Sequence, residues 1–176
     1  MDISMETIKE LREQTSCGVM ECKKALQEAK GNMKKAKEIL QKRGLEILAK
    51  KSGRETKEGR VEAYIHLGSK IGVLVEVNCE TDFVARNEDF IQFTKNLAMH
   101  IAAVAPKYIK KDNVPADVLK KQSGQETFIK ENCLLDQAYV NDPAMTIQDY
   151  LNSIVAKIGE NIQIGRLVRF KVGESE

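Results

Sequence analysis

Near residue 60 the hydrophobic period of this chain changes. Before that point apolar residues recur at helical spacing, and after it they alternate. A helical stretch and an alternating stretch cannot share one repeating architecture, so the chain must join a helical module to a part that contains a sheet. Ile8 and Leu11 share one face of a helix over residues 5–15, and Val19, Cys22, Ala25, Leu26 and Ala29 define a second over 19–29. Asn32 is placed to cap a third, which turns Met33, Ala36, Ile39 and Leu40 inward, with Gly44 as its expected stop. Residues 1–50 are therefore expected to form a three-helix domain. The polar, glycine-containing residues 51–59 are expected to be a linker, and residues 60–176 a second domain.

In the second domain Val61, Ala63, Ile65 and Leu67 alternate with Glu62, Tyr64 and His66, and Gly68-Ser69-Lys70 reads as a hairpin turn. Residues 71–77 are apolar on both phases and should form a central strand. The pattern Phe90, Phe93, Leu97, Ile101 and Val104 predicts a helix over 88–105, ended by Pro106. Residues 107–124 are polar, with a short helix expected after Pro115 and another over 126–135. Thr146 and Asp149 form a near capping box ahead of a helix closed by Gly159, and residues 162–172 read as the last strand. The expected class is α+β, a small antiparallel sheet with helices covering one face.

Composition excludes several functions. With 42% hydrophobic and 31% charged residues the chain has the makeup of a globular protein, and no apolar run reaches the roughly 20 residues a membrane span needs. No basic segment followed by an apolar core opens the chain, so a cytoplasmic protein with reduced cysteines is expected. Cys17, Cys22, Cys79 and Cys133 match no zinc spacing; His66 and His100 assemble into neither a metal site nor a triad, and the helix-end position of His100 would suit a positive charge. No metal, cofactor or enzymatic activity is expected. Residues 1–60 hold 15 Lys/Arg against 10 Asp/Glu, whereas the whole chain is only +2. That local excess leaves open a basic three-helix module for nucleic acid or ubiquitin-like partners, beside the plainer reading of a solvated helical surface.

Between the central strand and the following helix lies Asn78-Cys79-Glu80-Thr81-Asp82-Phe83-Val84-Ala85-Arg86-Asn87. Asn78, Thr81 and Asp82 are turn formers and caps, so a sharp break is expected there. Phe83 admits two readings, a wedge for another protein or a plug for its own core. Near the N-terminus stand Leu11-Arg12-Glu13-Gln14-Thr15 and Gly18-Val19-Met20-Glu21-Cys22-Lys23-Lys24-Ala25-Leu26. Near the C-terminus, Ile158-Gly159-Glu160-Asn161-Ile162 precedes Arg166-Leu167-Val168-Arg169-Phe170.

These three stretches, in this order, resemble the elongation factor Ts family in a short, single-core form. The resemblance implies a ubiquitin-associated-like (UBA-like) N-terminal module and a guanine-nucleotide exchange factor of translation elongation. Its partner would be the GTPase elongation factor Tu in the GDP state, from which it displaces Mg2+. It implies that Thr81, Asp82, Phe83 and Val84 carry the magnesium dislocation. It also implies that Arg12, Val19, Met20, Lys23 and Lys24 dock the N-terminal module on the GTPase, with neither direct nucleic-acid contact nor a membrane. The second core unit of longer members has no counterpart here, and residues 120–132 are short. A second copy of the chain would then complete the surface, with the final strand offering an edge for the homodimer.

Overall fold

The computed structural model describes residues 3–15, 17–51 and 53–174. The chain divides into two compact units, Met1–Arg54 with Asn152–Asn161, and Glu55–Leu151 with Ile162–Glu176. The first unit contains α1 (Met5–Thr15), α2 (Val19–Glu28) and α3 (Met33–Lys51). Ile8 and Leu11 of α1, Cys22, Ala25 and Leu26 of α2, and Ala36 and Leu40 of α3 form one buried cluster, as their helical spacing predicts. Lys30 and Gly31 take positive φ angles after α2, and the Gly31 amide donates to the Leu26 carbonyl at 2.8 Å. The Asn32 side chain then accepts from the Lys35 amide at 3.0 Å, capping α3.

Gly44 does not end α3, contrary to expectation; the helix runs on to Lys51. A mid-helix glycine costs only about 1 kcal/mol relative to alanine, and Leu45, Glu46, Leu48, Ala49, Lys50 and Lys51 are all good helix formers. The Lys51 ammonium donates to the Gly159 carbonyl and the Asn161 side chain donates to the Arg54 carbonyl, which joins residues 152–161 to this unit.

The second unit is built on β1 (Glu58–Ile65) and β2 (Ile71–Cys79). The single turn α4 (Asp82–Ala85) and the long helix α5 (Glu88–Val104) follow. Then come α6 (Ala116–Lys120), α7 (Gln125–Asn132), β3 (Ala138–Tyr139), β4 (Asp142–Thr146), α8 (Ile147–Ile158) and β5 (Ile162–Lys171). The main sheet is antiparallel in the order β1-β2-β5, so the strand that is apolar on both phases is indeed central. Val73, Val75, Val77 and Cys79 are buried on the face covered by α5, whose Phe90, Phe93, Leu97, Ala98 and Ile101 are buried too. Ala105 closes α5 in the left-handed region just before Pro106. The expected box at α8 forms in full: Thr146 N–H donates to Asp149 Oδ2 at 3.0 Å, and Asp149 N–H to Thr146 Oγ1 at 3.1 Å.

The phase of β1 is inverted from its apolar pattern. Val61 and Ile65 are more than 60% exposed and Leu67 is 94% exposed, whereas Glu62 and Tyr64 turn towards the helix side. β5 behaves alike, with Val168 and Phe170 facing outward. Register explains this. Ala63 and Val168 both pair with Leu74, and Ile65 and Phe170 both pair with Gly72, so the apolar phases of both outer strands share the second face of β2. Most polar side chains on the helix side find partners, although the buried Arg60 Nε has none. Glu62 takes a hydrogen bond from Thr94 at 3.1 Å and pairs with Arg60 at 3.0 Å, and Arg169 donates to the Ala102 carbonyl at 3.2 Å.

Candidate partner-binding site

The loop at the end of β2 is small and heavily tied down. Asn78 does not break the strand; it still pairs with Gly59 on one side and Gln163 on the other, and the turn begins two residues later. Thr81 is the N-cap of α4, its hydroxyl accepting from the Val84 amide at 3.5 Å, and the buried Cys79 thiol donates to the Thr81 carbonyl at 3.1 Å. Val84 is buried and anchors the turn from below. Asn87 stops the turn and caps α5, accepting from the Asp89 amide at 2.8 Å. Between these anchors the Phe83 ring is 81% exposed. It belongs to no core. Asp82 stands beside it, paired with Arg86 at 3.0 Å. The four residues Thr81 to Val84 thus form one rigid turn that presents an aromatic ring and a carboxylate to solvent.

The second residue set lies where α1 ends and α2 begins. Val19 is 40% and Met20 62% exposed, and Arg12, Lys23 and Lys24 are exposed around them. Met20 is therefore not a core residue of its module. Cys22 and Leu26 point the other way into the cluster, as helical geometry requires. Lys24 pairs with Glu21 at 3.5 Å, and Arg43 of α3 pairs with Glu21 and Glu28, so part of the basic excess is neutralised locally. This set belongs to the first unit and the turn to the second.

Sequence reasoning missed the outer face of the sheet. Val61, Leu74, Val168 and Phe170 are all exposed there, and with them lies an ion pair, Arg166 Nε donating to Glu76 Oε2 at 2.6 Å. The arginine holds the Glu76 carboxyl below the usual carboxylate range. A groove on this face is lined by Val61, Leu74, Glu76, Arg166, Leu167 and Val168. The missing signal was available: a central strand apolar on both phases needs cover on both faces.

The histidines have separate environments. His66 is exposed, its Nδ1 3.0 Å from the Tyr64 hydroxyl. His100 is fully buried, contrary to the charged helix-end role its position suggested. Its Nε2 lies 3.1 Å from Gln137 Oε1, and its Nδ1 accepts from the Val140 amide. Burial pushes its pKa down, partly opposed by Gln137, so the ring is neutral. Among the described residues no cluster of three His, Cys, Asp or Glu side chains could hold a metal ion, and no helix is long and apolar enough to cross a membrane.

Comparison with known proteins gives the family of the whole chain. The family model for elongation factor TS matches residues 2–127 and 124–174. The chain belongs to the elongation factor Ts family. It is 51% identical to elongation factor Ts of Thermoanaerobacter sp. (strain X514), with 98% of this chain and 96% of that protein covered. It is 48% identical to the protein of the same name from Fervidobacterium nodosum, covering 99% and 100%, and 46% identical to that of Desulfotalea psychrophila, covering 98% and 100%. Membership makes the chain a nucleotide-exchange factor of translation elongation, whose partner in this family is elongation factor Tu. The two matched stretches overlap at residues 124–127.

Proposed function

We propose that this chain binds elongation factor Tu in its GDP state and releases the nucleotide by dislodging Mg2+, with Phe83 as the wedge. The observation that carries this reading is the exposure of Phe83 on a turn held by Thr81, Val84 and Asn87. A large apolar ring left in water on a rigid support is unfavourable in isolation and favourable once a partner covers it. Its entry between the GTPase elements that hold the magnesium shifts them, and Asp82 perturbs the polar network beside them. A factor that binds the nucleotide-free GTPase more tightly than the GDP form must weaken GDP by the same ratio. The chain works by binding alone and performs no covalent chemistry, in the cytoplasm and without direct contact to nucleic acid.

Residues 1–50 act as the UBA-like docking module through Arg12, Val19, Met20, Lys23 and Lys24, residues 51–59 as the linker, and residues 60–176 as the exchange core. Two chains associate through the outer sheet face. Glu76 and Arg166 sit side by side among exposed apolar residues, and a two-fold axis lets such a patch pair with itself.

The deciding experiment is release of fluorescent GDP from elongation factor Tu, with and without the chain. Acceleration by the wild type and its loss in Phe83→Ala, at unchanged folding, supports the reading. An unchanged release rate at saturating protein, with binding measured separately, removes it.

A further inference from the structure

Two thiols flank the start of α2. Gly18 is the N-cap of that helix, so Cys17 is the residue before the cap and Cys22 the fourth residue within. These are the two positions whose side chains meet in a hydrophobic staple. Cys22 is fully buried, and the half-buried Cys17 packs against the same cluster. Cys22 Sγ lies 3.8 Å from the Cys17 carbonyl oxygen and 3.8 Å from Thr15 Oγ1, and Cys17 Sγ lies 3.5 Å from the Thr15 carbonyl. The Cys17 amide reaches Thr15 Oγ1 only at 3.5 Å. The polar contact of the Cys17 thiol is a weak sulfur one to the Thr15 carbonyl, which a χ1 rotation can break. Val19 and Met20 lie between the two cysteines in the chain and are exposed.

We propose that Cys17 and Cys22 form a reversible intramolecular disulfide that reshapes the turn carrying Val19 and Met20 and so weakens docking on the GTPase. The effect on docking rests on the role given above to those two residues; formation of the bridge does not. The oxidant is a hydroperoxide. The more accessible Cys17 sulfur attacks the peroxide, the O–O bond breaks, an alcohol (water, from hydrogen peroxide) leaves, and Cys17 becomes a sulfenic acid. The Cys22 sulfur then attacks the Cys17 sulfur. The S–S bond forms, the S–O bond breaks, and the hydroxyl departs as water with the Cys22 proton. Two thiols have lost two electrons and the peroxide has gained them. A dithiol reverses the bridge through a mixed disulfide and is itself oxidised. Burial, and next to it Cys17, raise the Cys22 thiol, so Cys22 is not the sulfur that meets the peroxide first.

The full-length chain is treated with hydrogen peroxide under native conditions, alkylated, and weighed intact and as peptides. The expected result is the loss of two hydrogens, a Cys17–Cys22 cross-linked peptide and its disappearance with dithiothreitol, retained in Cys133→Ser and absent in Cys17→Ser. In the GDP-release assay the oxidised chain should need about fivefold more protein for half-maximal rate, a shift at the low end of ordinary coupling energies. Reduction should restore the rate, and peroxide-treated Cys17→Ser should keep its untreated value. Sulfinic acid at Cys17 without a cross-link overturns the proposal. So does a cross-linked chain with unchanged half-saturation. Absence of GDP release by the reduced chain would instead condemn the exchange reading, and the mass measurement still decides the bridge.

Discussion

Phe83 and His100 represent opposite uses of a ring. Phe83 is exposed, so its truncation removes almost no buried surface. Phe83→Ala should leave the melting temperature within the range of ordinary surface substitutions, about 0.5 kcal/mol, while a buried Phe truncated to Ala loses about 3–5 kcal/mol. At a central interface residue the same change removes about 2 kcal/mol of binding or more, roughly thirtyfold. One thermal melt and one exchange assay separate the readings. A melt far below wild type would return the ring to the core. His100 has its Nδ1 occupied by the Val140 amide, so a second ring proton has no acceptor there. The folded chain therefore refuses a proton that the unfolded chain takes up. This contribution to stability is complete above the unfolded pKa near 6.5 and is lost as pH falls through it towards the lower folded value. The slope reaches at most about 1.4 kcal/mol per pH unit. Denaturation followed from pH 7.5 to pH 5 should show it, and His100→Gln should flatten it; an equal slope in both proteins would move its origin elsewhere.

At the scale of elements, the Thr81–Val84 turn depends on the strand pair beneath it. Gly59 sits opposite Asn78 with φ +151, and a Cβ there would come within 2.3 Å of the Val77 carbonyl oxygen. Both atoms are backbone or fixed to it, so neither yields without moving a strand. Gly59→Ala should destabilise the second unit by about 1–3 kcal/mol, in the range of overpacked sites. Urea titration at an unchanged m value reads it, and a midpoint equal to wild type would show that β1 moves freely. The capping box of α8 is a milder case. Thr146→Ala removes the hydroxyl that accepts from Asp149 N–H and should lower stability by about 1 kcal/mol. Asp149→Ala should do much the same, because each partner serves the other's amide.

For the whole molecule, the outer face of the sheet is left exposed. Val61, Leu74, Val168 and Phe170 stay in water unless something covers them. If a second copy does so, Leu74→Asp should convert a dimer to a monomer in sedimentation equilibrium and leave the monomer folded, since Leu74 is already 47% exposed. A wild-type chain that sediments as a monomer at micromolar concentration would rule out this role for the face.

Most of the elements could be read from the sequence alone because each is set locally; the β3-β4 hairpin and the end of α3 could not. Helical spacing placed Ile8, Leu11, Cys22, Leu26, Ala36 and Leu40 in one cluster, Thr146 and Asp149 announced a cap, and a strand apolar on both phases had to be central. The proposed roles of the Thr81–Val84 turn and of the N-terminal surface came from ordered family stretches, not from periodicity. Periodicity could not decide whether Phe83 or Met20 pointed in or out, because each sits at the margin of an apolar stripe. What needed the tertiary structure was which face of each strand meets the helix. Alternation defines two phases and does not label them; the label comes from the register with β2 and from α5 having width for one face. Hence Val61 and Phe170 face solvent while Glu62 and Arg169 sit beneath α5 with partners. Gly44 shows the same limit within a helix. Its small intrinsic penalty is overridden by helix-forming neighbours on both sides, and a local stop signal does not weigh that sum.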